Sequence, residues 1–183
     1  RAVKTGMLYS RSIIDAVAQC LVKRKRVQLV IDPVMISSSG TPLLKPSAAL
    51  ALSARLLPLA KLVTPNLDEA AALAQRQVRE PEEMRDAARA IHERFGCAVL
   101  VKGGHMKTTK AIDLFYDGRE EFLLSAPRAK GVSPPGTGCT YSAAITAFLA
   151  RGERLPGAVE LAKQHMAEAF SGVFRVGKHR FLG

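Results

Sequence analysis

The chain has 183 residues, of which 48% are hydrophobic and 23% are charged, and it carries three cysteines. The apolar fraction is too high for a disordered chain, and three cysteines are too few for a disulfide scaffold. No uncharged apolar run reaches the roughly eighteen residues of a membrane-spanning helix, and residues 1–6 lack the pattern of a secretory signal. We therefore expect residues 1–183 to form a single cytoplasmic domain without a membrane partner.

The chain is strongly basic. Lys and Arg number 27 against 16 Asp and Glu, which gives a formal net charge of +11. Such a surplus is compatible with a nucleic acid, a membrane surface or an anionic substrate. The densest basic run, at 23–26, is explained as the solvated end of a helix, where positive charge complements the helix dipole. Because aromatic residues make up only 5% of the chain and Trp is absent, a nucleic-acid partner is not expected.

In chain order, short apolar runs typical of strands alternate with stretches of helical periodicity. The predicted strands lie at 2–5, 27–31, 62–64, 98–101, 112–116 and 121–124, the last two as an edge hairpin. Helices are predicted after Ser10 or Ser12, from Pro46 through Leu57, after Asn66, from Pro81 to Gly96, from Gly136 to about Ala150, and from Pro156 to about Val173. This order predicts an α/β sandwich with a mainly parallel sheet. Because no element precedes the first strand, either the chain is a fragment or that strand is an edge.

Polar residues follow three predicted strands at the points where these strands end. Asp32 ends the second strand, Thr64 and Asn66 follow the third, and Lys102 follows the fourth, while Glu69 stands at capping-box spacing from Asn66. The carboxyl ends of parallel strands share one edge of the sheet, where open α/β folds place their sites. Taken singly, each carboxylate is explained as a helix or loop cap, and Lys102 as a solvated charge. Their joint placement at one edge of the sheet favours a functional site there.

A glycine-flanked helix start, Gly136-Thr137-Gly138-Cys139, is predicted at the same edge. Exposed backbone N–H groups and the helix dipole make such a start an anion pocket. Two carboxylates beside an anion pocket suit a hydrated Mg²⁺ that bridges phosphates. The sequence therefore predicts phosphoryl transfer.

Cysteines are open to two interpretations. The thiolate of Cys139 would be favoured by the helix dipole and could accept a proton from an attacking hydroxyl. On position alone, a small core residue is the better explanation of Cys139, and it is the joint placement with the other polar residues that favours a catalytic thiol. Cys20 and Cys97 are predicted to pack in the core.

Five sequence motifs together resemble those of one known enzyme family. They are K-T-G-M-L at Lys4–Leu8, D-P-V-M at Asp32–Met35, L-L-P-L-A-K-L-V-T-P-N-x-x-E at Leu56–Glu69, V-K-G-G-H at Val101–His105 and G-T-G-C-T at Gly136–Thr140. In this order they resemble the hydroxymethylpyrimidine/phosphomethylpyrimidine kinases of thiamine biosynthesis. The resemblance covers nearly the whole chain and implies the three-layer α/β/α sandwich of the ribokinase-like superfamily.

The resemblance implies a reaction. The expected activity is the phosphorylation of 4-amino-5-hydroxymethyl-2-methylpyrimidine, and then of its monophosphate, with ATP and Mg²⁺. A homodimer is also compatible with it. A Cys-type pyridoxal kinase is the alternative within the same class, and a non-catalytic ligand-binding remnant is the alternative outside it.

The resemblance also assigns roles to residues of this chain. Cys139 would be the general base, and the backbone of Gly136, Thr137, Gly138 and Cys139 would form the anion hole. Asp32 and Glu69 would organise Mg²⁺, and Lys102, with Thr64 and Asn66, would contact ATP or its phosphates. Met7 and Val34 would line the pyrimidine pocket.

The chain departs from the family pattern in two places. Pro134-Pro135 stand where the family usually has His before its G-T-G-C motif, which changes the approach to the anion hole. The family's N-terminal strands and its glycine-rich substrate loop have no counterpart here. We therefore expect an N-terminally truncated kinase domain.

Overall fold

The computed structural model describes residues 1–24, 26–36, 41–104, 110–127, 136–177 and 179–183. The strands are β1 (Ala2–Thr5), β2 (Gln28–Ile31), β3 (Leu62–Val63), β4 (Ala98–Lys102), β5 (Lys110–Tyr116), β6 (Glu121–Pro127), β7 (Phe174–Val176) and β8 (His179–Phe181). The helices are α1 (Arg11–Val22), α2 (Pro46–Ala51), α3 (Leu67–Ala74), α4 (Pro81–Phe95), α5 (Thr137–Ala150) and α6 (Leu155–Ser171). No helix within these residues combines the length and apolarity needed to cross a bilayer.

The main sheet has the strand order β1-β2-β3-β4-β5-β6. Strands β1 to β4 are parallel, with Val30 opposite Leu62 and Val63 opposite Val99, whereas β5 and β6 are antiparallel additions. The mainly parallel sheet and the edge hairpin are thus confirmed. Because β1 to β4 run in one direction, their carboxyl ends lie along one edge of the sheet.

Helices cover both faces of this sheet. Ile31 and Val63 face one apolar cluster, which includes residues of α1 to α4, and Val30 and Leu62 face a second cluster built with α5 and α6. Adjacent residues of a strand point to opposite faces, so a strand covered on both sides must be apolar throughout. The resulting three layers are the expected α/β/α sandwich.

Helix ends follow local sequence signals. Ser10 caps α1, with its Oγ accepting from the Ile13 N–H at 3.5 Å. Asn66 caps α3 within a reciprocal capping box, and α4 ends at Gly96, whose φ of 72° lies in the left-handed region. These three boundaries are as predicted.

The predicted helix through Leu57 changes form along its length. It is α-helical only to Ala51, then a π-helix over Leu52–Leu56 and a 3₁₀ turn over Leu57–Leu59.

The chain's last segment contains an element that the sequence did not predict. Helix α6 ends at Ser171 instead of Val173, and β7 and β8 then form a small antiparallel ribbon in which Phe174 and Phe181 stack at 5.9 Å between ring centroids. Strands of three residues are too short to show a period in sequence.

One core prediction is wrong. Cys20 is exposed, because Ile14 and Ala18 carry the buried stripe of α1 and Cys20 lies two positions beyond Ala18, on the opposite side. Cys97 is buried, as predicted.

Candidate functional site

Asp32 lies at the centre of the polar cluster at the carboxyl edge of the sheet. It directly follows β2, is 2% exposed, and its N–H donates to the Thr5 carbonyl at 3.1 Å. The Lys102 ammonium, at the end of β4, donates to Asp32 Oδ1 at 2.8 Å, and Thr64 Oγ1 donates more weakly to the same oxygen at 3.4 Å. The structure therefore brings together the three strand ends that the sequence singled out.

Ser142 belongs to this cluster and was not predicted. It is fully buried on α5, with its Oγ 3.2 Å from Asp32 Oδ2 and within 3.2 Å of the carbonyls of Gly138 and Cys139. Its hydroxyl proton can satisfy the second oxygen of Asp32. The available signal was a serine three positions after Cys139 in an otherwise apolar helix, which is too weak to stand out.

The N-terminus of α5 faces Lys102. Helix α5 begins after Gly136, whose φ is 85° and which, as the N-cap residue, makes no side-chain capping bond. A Cβ at Gly138 would lie 3.1 Å from Lys102 Nζ. An ammonium and the positive end of a helix dipole therefore point at the same space. Two positive groups placed together in this way stabilise an anion, and a phosphate fits the donor geometry of a helix start.

Cys139 lies in the first turn of α5 and is exposed. Partial desolvation raises the pKa of its thiol, and the Asp32 carboxylate raises it further, while Lys4 and Lys102 oppose both effects. The direction of this shift is opposite to the one expected from the helix dipole alone, because burial and the Asp32 carboxylate both raise the pKa.

Glu69 joins two loops. Its Oε2 accepts the N–H of Asn66 at 2.9 Å while Asn66 Oδ1 accepts the N–H of Glu69 at 2.9 Å, which completes the capping box. Its Oε1 accepts the N–H of Met35, in the loop after β2, also at 2.9 Å. Burial is the largest effect on this carboxyl and raises its pKa, partly offset by Lys102 and by the two backbone donors.

The predicted donors for a cation are Asp32 and Glu69. Among the described residues, no group of three or more His, Cys, Asp or Glu side chains could hold a metal ion without other ligands. Each oxygen of Glu69 already accepts one N–H and keeps one lone-pair direction. Such a set fits an ion that takes most of its ligands from water and phosphate, as Mg²⁺ does.

Two loop residues border the same edge of the sheet. Met7, which follows β1, is 57% exposed, and Val34, two residues after Asp32, is half-buried. Val34 has a φ of 43°, a strained conformation for a β-branched residue. The hydrogen bond from the Met35 N–H to Glu69 helps to hold this conformation.

Pro134 and Pro135, where the sequence departs from the family pattern, lie outside the described residues.

Comparisons with known proteins identify the relatives of this chain. A family model for phosphomethylpyrimidine kinase matches residues 1–182. A hydroxymethylpyrimidine/phosphomethylpyrimidine kinase from Rhizobium meliloti (strain 1021) is 47% identical over 177 residues, which cover 96% of this chain and 66% of that protein.

Two solved structures have the same fold. Phosphomethylpyrimidine kinase from Clostridium difficile 630 gives a TM-score of 0.81 at 37% identity, covering 92% of this chain and 68% of that one. Pyridoxal kinase from Staphylococcus aureus in complex with AMP-PCP and pyridoxal gives a TM-score of 0.89 at 33% identity. The match covers 100% of this chain and 66% of that one. The chain thus spans about two thirds of the length of these relatives.

Proposed function

Since the chain belongs to the phosphomethylpyrimidine kinase family, we propose that it transfers the γ-phosphoryl group of ATP to 4-amino-5-hydroxymethyl-2-methylpyrimidine and then to the resulting monophosphate, in the cytoplasm, as part of thiamine diphosphate biosynthesis. The observation that carries this proposal is the Lys102 ammonium, paired with Asp32 and lying beside Gly138 at the uncapped start of α5. This arrangement places positive charge where a transferring phosphoryl group accumulates negative charge.

The phosphates of ATP bind at the N-terminus of α5. The backbone of Gly136, Thr137, Gly138 and Cys139 supplies the anion hole, and Lys102 neutralises phosphate charge from the opposite side. The likeness to a kinase crystallised with AMP-PCP supports nucleotide binding by this chain.

Thr64 and Asn66 support the phosphate site at its margin. Thr64 acts by orienting Asp32, to which its hydroxyl donates. Asn66 uses its side-chain oxygen in the helix cap, so its amide NH₂ is the group that faces a nucleotide.

Asp32 and Glu69 are the residues that would hold Mg²⁺, with water and phosphate completing its ligands. When bound, this ion neutralises phosphate charge and orients the phosphoryl group. Thr64, Ser142 and Lys102 fix the direction of the Asp32 carboxylate, because all three approach it with donors.

Cys139 is the general base for the alcohol. Its thiolate takes the proton of the hydroxymethyl group as the alcohol oxygen bonds to the γ-phosphorus and the bond to ADP breaks. Met7 and Val34, on the two loops at this edge, line the pocket for the acceptor ring.

The decisive experiment is ATP-dependent turnover of the hydroxymethylpyrimidine and of its monophosphate with Mg²⁺, measured on the chain and on Cys139→Ala. A matched control is Cys20→Ala, which removes an exposed thiol from α1. We expect turnover in the chain and in the control, and a large loss of alcohol phosphorylation in Cys139→Ala. Nucleotide binding without turnover of any acceptor would instead indicate a ligand-binding remnant.

Pyridoxal is the second candidate acceptor, favoured by the TM-score of 0.89 with a kinase crystallised with pyridoxal. Competition between the pyrimidine and pyridoxal in one assay separates the two, through the ratio of their kcat/KM values. We expect the pyrimidine to be preferred, and a higher kcat/KM for pyridoxal would assign the chain to that branch.

A further inference from the structure

A second buried lysine–aspartate pair lies close to the phosphate site. Lys163, on α6, donates to Asp113 Oδ2 at 2.6 Å and to the Ala111 carbonyl at 3.2 Å. Asp113, on β5, accepts the N–H of Gly103 on its other oxygen at 3.0 Å. The two side chains are only 11% and 5% exposed, so this pair is shielded from solvent.

Asp113 also stands directly opposite Lys102. The two residues are register partners in the antiparallel pair of β4 and β5. Side chains of directly opposite residues extend from the same face of a sheet and lie within reach of each other. Lys102 therefore has two carboxylates available, Asp32 across the cluster and Asp113 across the strand pair, and it is bonded to Asp32.

We propose that Lys163 is a positioning residue of the phosphate site: it occupies the Asp113 carboxylate so that the Lys102 ammonium remains on Asp32 and beside Gly138. Asp113 additionally fixes the end of β4 through the N–H of Gly103, the residue that follows Lys102. This inference rests on the proposed role of Lys102 toward the nucleotide phosphates.

Removal of Lys163 would leave the Asp113 carboxylate buried without a cation. An uncompensated buried charge is strongly unfavourable, and Lys102 is the cation directly across the strand pair. Transfer of the Lys102 ammonium to Asp113 would relieve this cost, and it would draw positive charge away from the start of α5. If Asp113 is also replaced by a neutral residue, no unpaired carboxylate remains at that position to attract the Lys102 ammonium.

The test uses Lys163→Met, Asp113→Asn and the double variant, with Arg154→Met as a control for the loss of one basic residue at an exposed position. The first readout is the rate at which iodoacetamide alkylates Cys139, which follows Gly138 in the helix turn that the Lys102 ammonium approaches. The second readout is the dissociation constant for ATP compared with that for adenosine, which has no phosphates. All variants are compared at a temperature at which circular dichroism shows them folded.

We expect Lys163→Met to slow Cys139 alkylation and to weaken ATP binding about tenfold or more, the effect of losing one charged hydrogen bond, with adenosine binding unchanged. The double variant should recover the alkylation rate and the ATP affinity to within about threefold of the unmodified chain. Asp113→Asn alone should retain both to the same extent, since the amide oxygen that it introduces can still accept the Gly103 N–H.

Two results would overturn the inference: unchanged alkylation in folded Lys163→Met, or a double variant as impaired as the single one. If Lys163→Met does not fold, Asp113→Asn decides, because a tenfold loss of ATP affinity in that variant contradicts the proposal. If the unmodified chain binds no ATP, the proposed function fails, and the order of alkylation rates still tests the positioning role.

Discussion

The absence of a side chain at Gly138 is what allows the Lys102 ammonium to approach the start of α5. A Cβ at Gly138 would lie 3.1 Å from Lys102 Nζ, closer than ordinary contacts, and 3.9 Å from the carbon that carries it. Lys102 is held by its bond to Asp32, so it has little freedom to withdraw. Gly138 thus leaves room for the Lys102–Asp32 ion pair and also keeps the backbone at the start of α5 exposed.

Gly138→Ala should weaken ATP binding about tenfold, because the new methyl group displaces the ammonium from the anion pocket. The matched control is Gly157→Ala in the first turn of α6, where a Cβ meets nothing within 4 Å. Alanine favours a helix by about 1 kcal/mol over glycine, so the control should raise the melting temperature without affecting ATP. Isothermal titration calorimetry measures both variants, and equal ATP affinity in the two would contradict the role given to Gly138.

The reactivity of Cys139 should continue to rise above neutral pH. Its raised pKa means that the thiolate, the form that reacts, is scarce at pH 7 and accumulates as the pH increases through that pKa. Asp32→Asn removes a charge that raises this pKa, so the midpoint of the alkylation profile should move to lower pH. A midpoint that stays in place or rises would show that Asp32 does not control the thiol.

The alkylation measurement needs a background without competing thiols. Cys20 is exposed and is replaced by Ser, whereas Cys97 is buried with its pKa raised by burial to about 12 and should not react in the folded protein. Labelling of Cys97 at the rate of Cys139 would indicate unfolding and would invalidate the profile.

The two phosphorylations should depend on Cys139 to different extents. A hydroxymethyl group must lose a proton on attack, whereas a phosphate monoester has a second pKa of about 6 and is already ionised at pH 7.5 or so. Cys139→Ala should therefore lower kcat for the alcohol at least about a hundredfold and kcat for the monophosphate by less than about tenfold. Separate single-turnover assays of the two acceptors check this ratio, and equal losses would argue that Cys139 positions the acceptor instead of taking its proton.

Glu69 should be important for stability as well as for the site. Glu69→Ala removes the acceptor for two backbone N–H groups and is expected to lower the free energy of unfolding by about 2–4 kcal/mol. Glu83→Ala is the matched control, since Glu83 occupies the same position in the capping box of α4, where its contacts are solvent-exposed. Urea denaturation should show a clearly smaller loss for Glu83→Ala, and equal losses would mean that the bond to Met35 contributes nothing.

The arrangement of strands and the location of the site could be predicted from sequence because they depend on local signals. Buried parallel strands are apolar throughout, and the Asn66–Glu69 capping box is visible as a spacing of three. The direction of parallel strands then brings Asp32 and Lys102 to one edge without further information.

What the sequence did not reveal depends on contacts between distant elements. Ser142 acquires its role from an oxygen of Asp32 that is 110 positions away in the chain, and Asp113 acquires its role from the register between β4 and β5. The pKa direction of Cys139 likewise depends on tertiary structure, because burial, the largest effect, and the distant Asp32 carboxylate both raise it.

The link from Glu69 to Met35 has a mechanical consequence. The loop that carries Val34 cannot separate from the first turn of α3 without leaving a buried carboxylate oxygen unpaired. Under the proposed function, a ring bound against Val34 would meet a loop that is anchored to a helix, so this side of the pocket would be rigid. Acceptors of different shape would then be distinguished by whether they fit a preformed pocket.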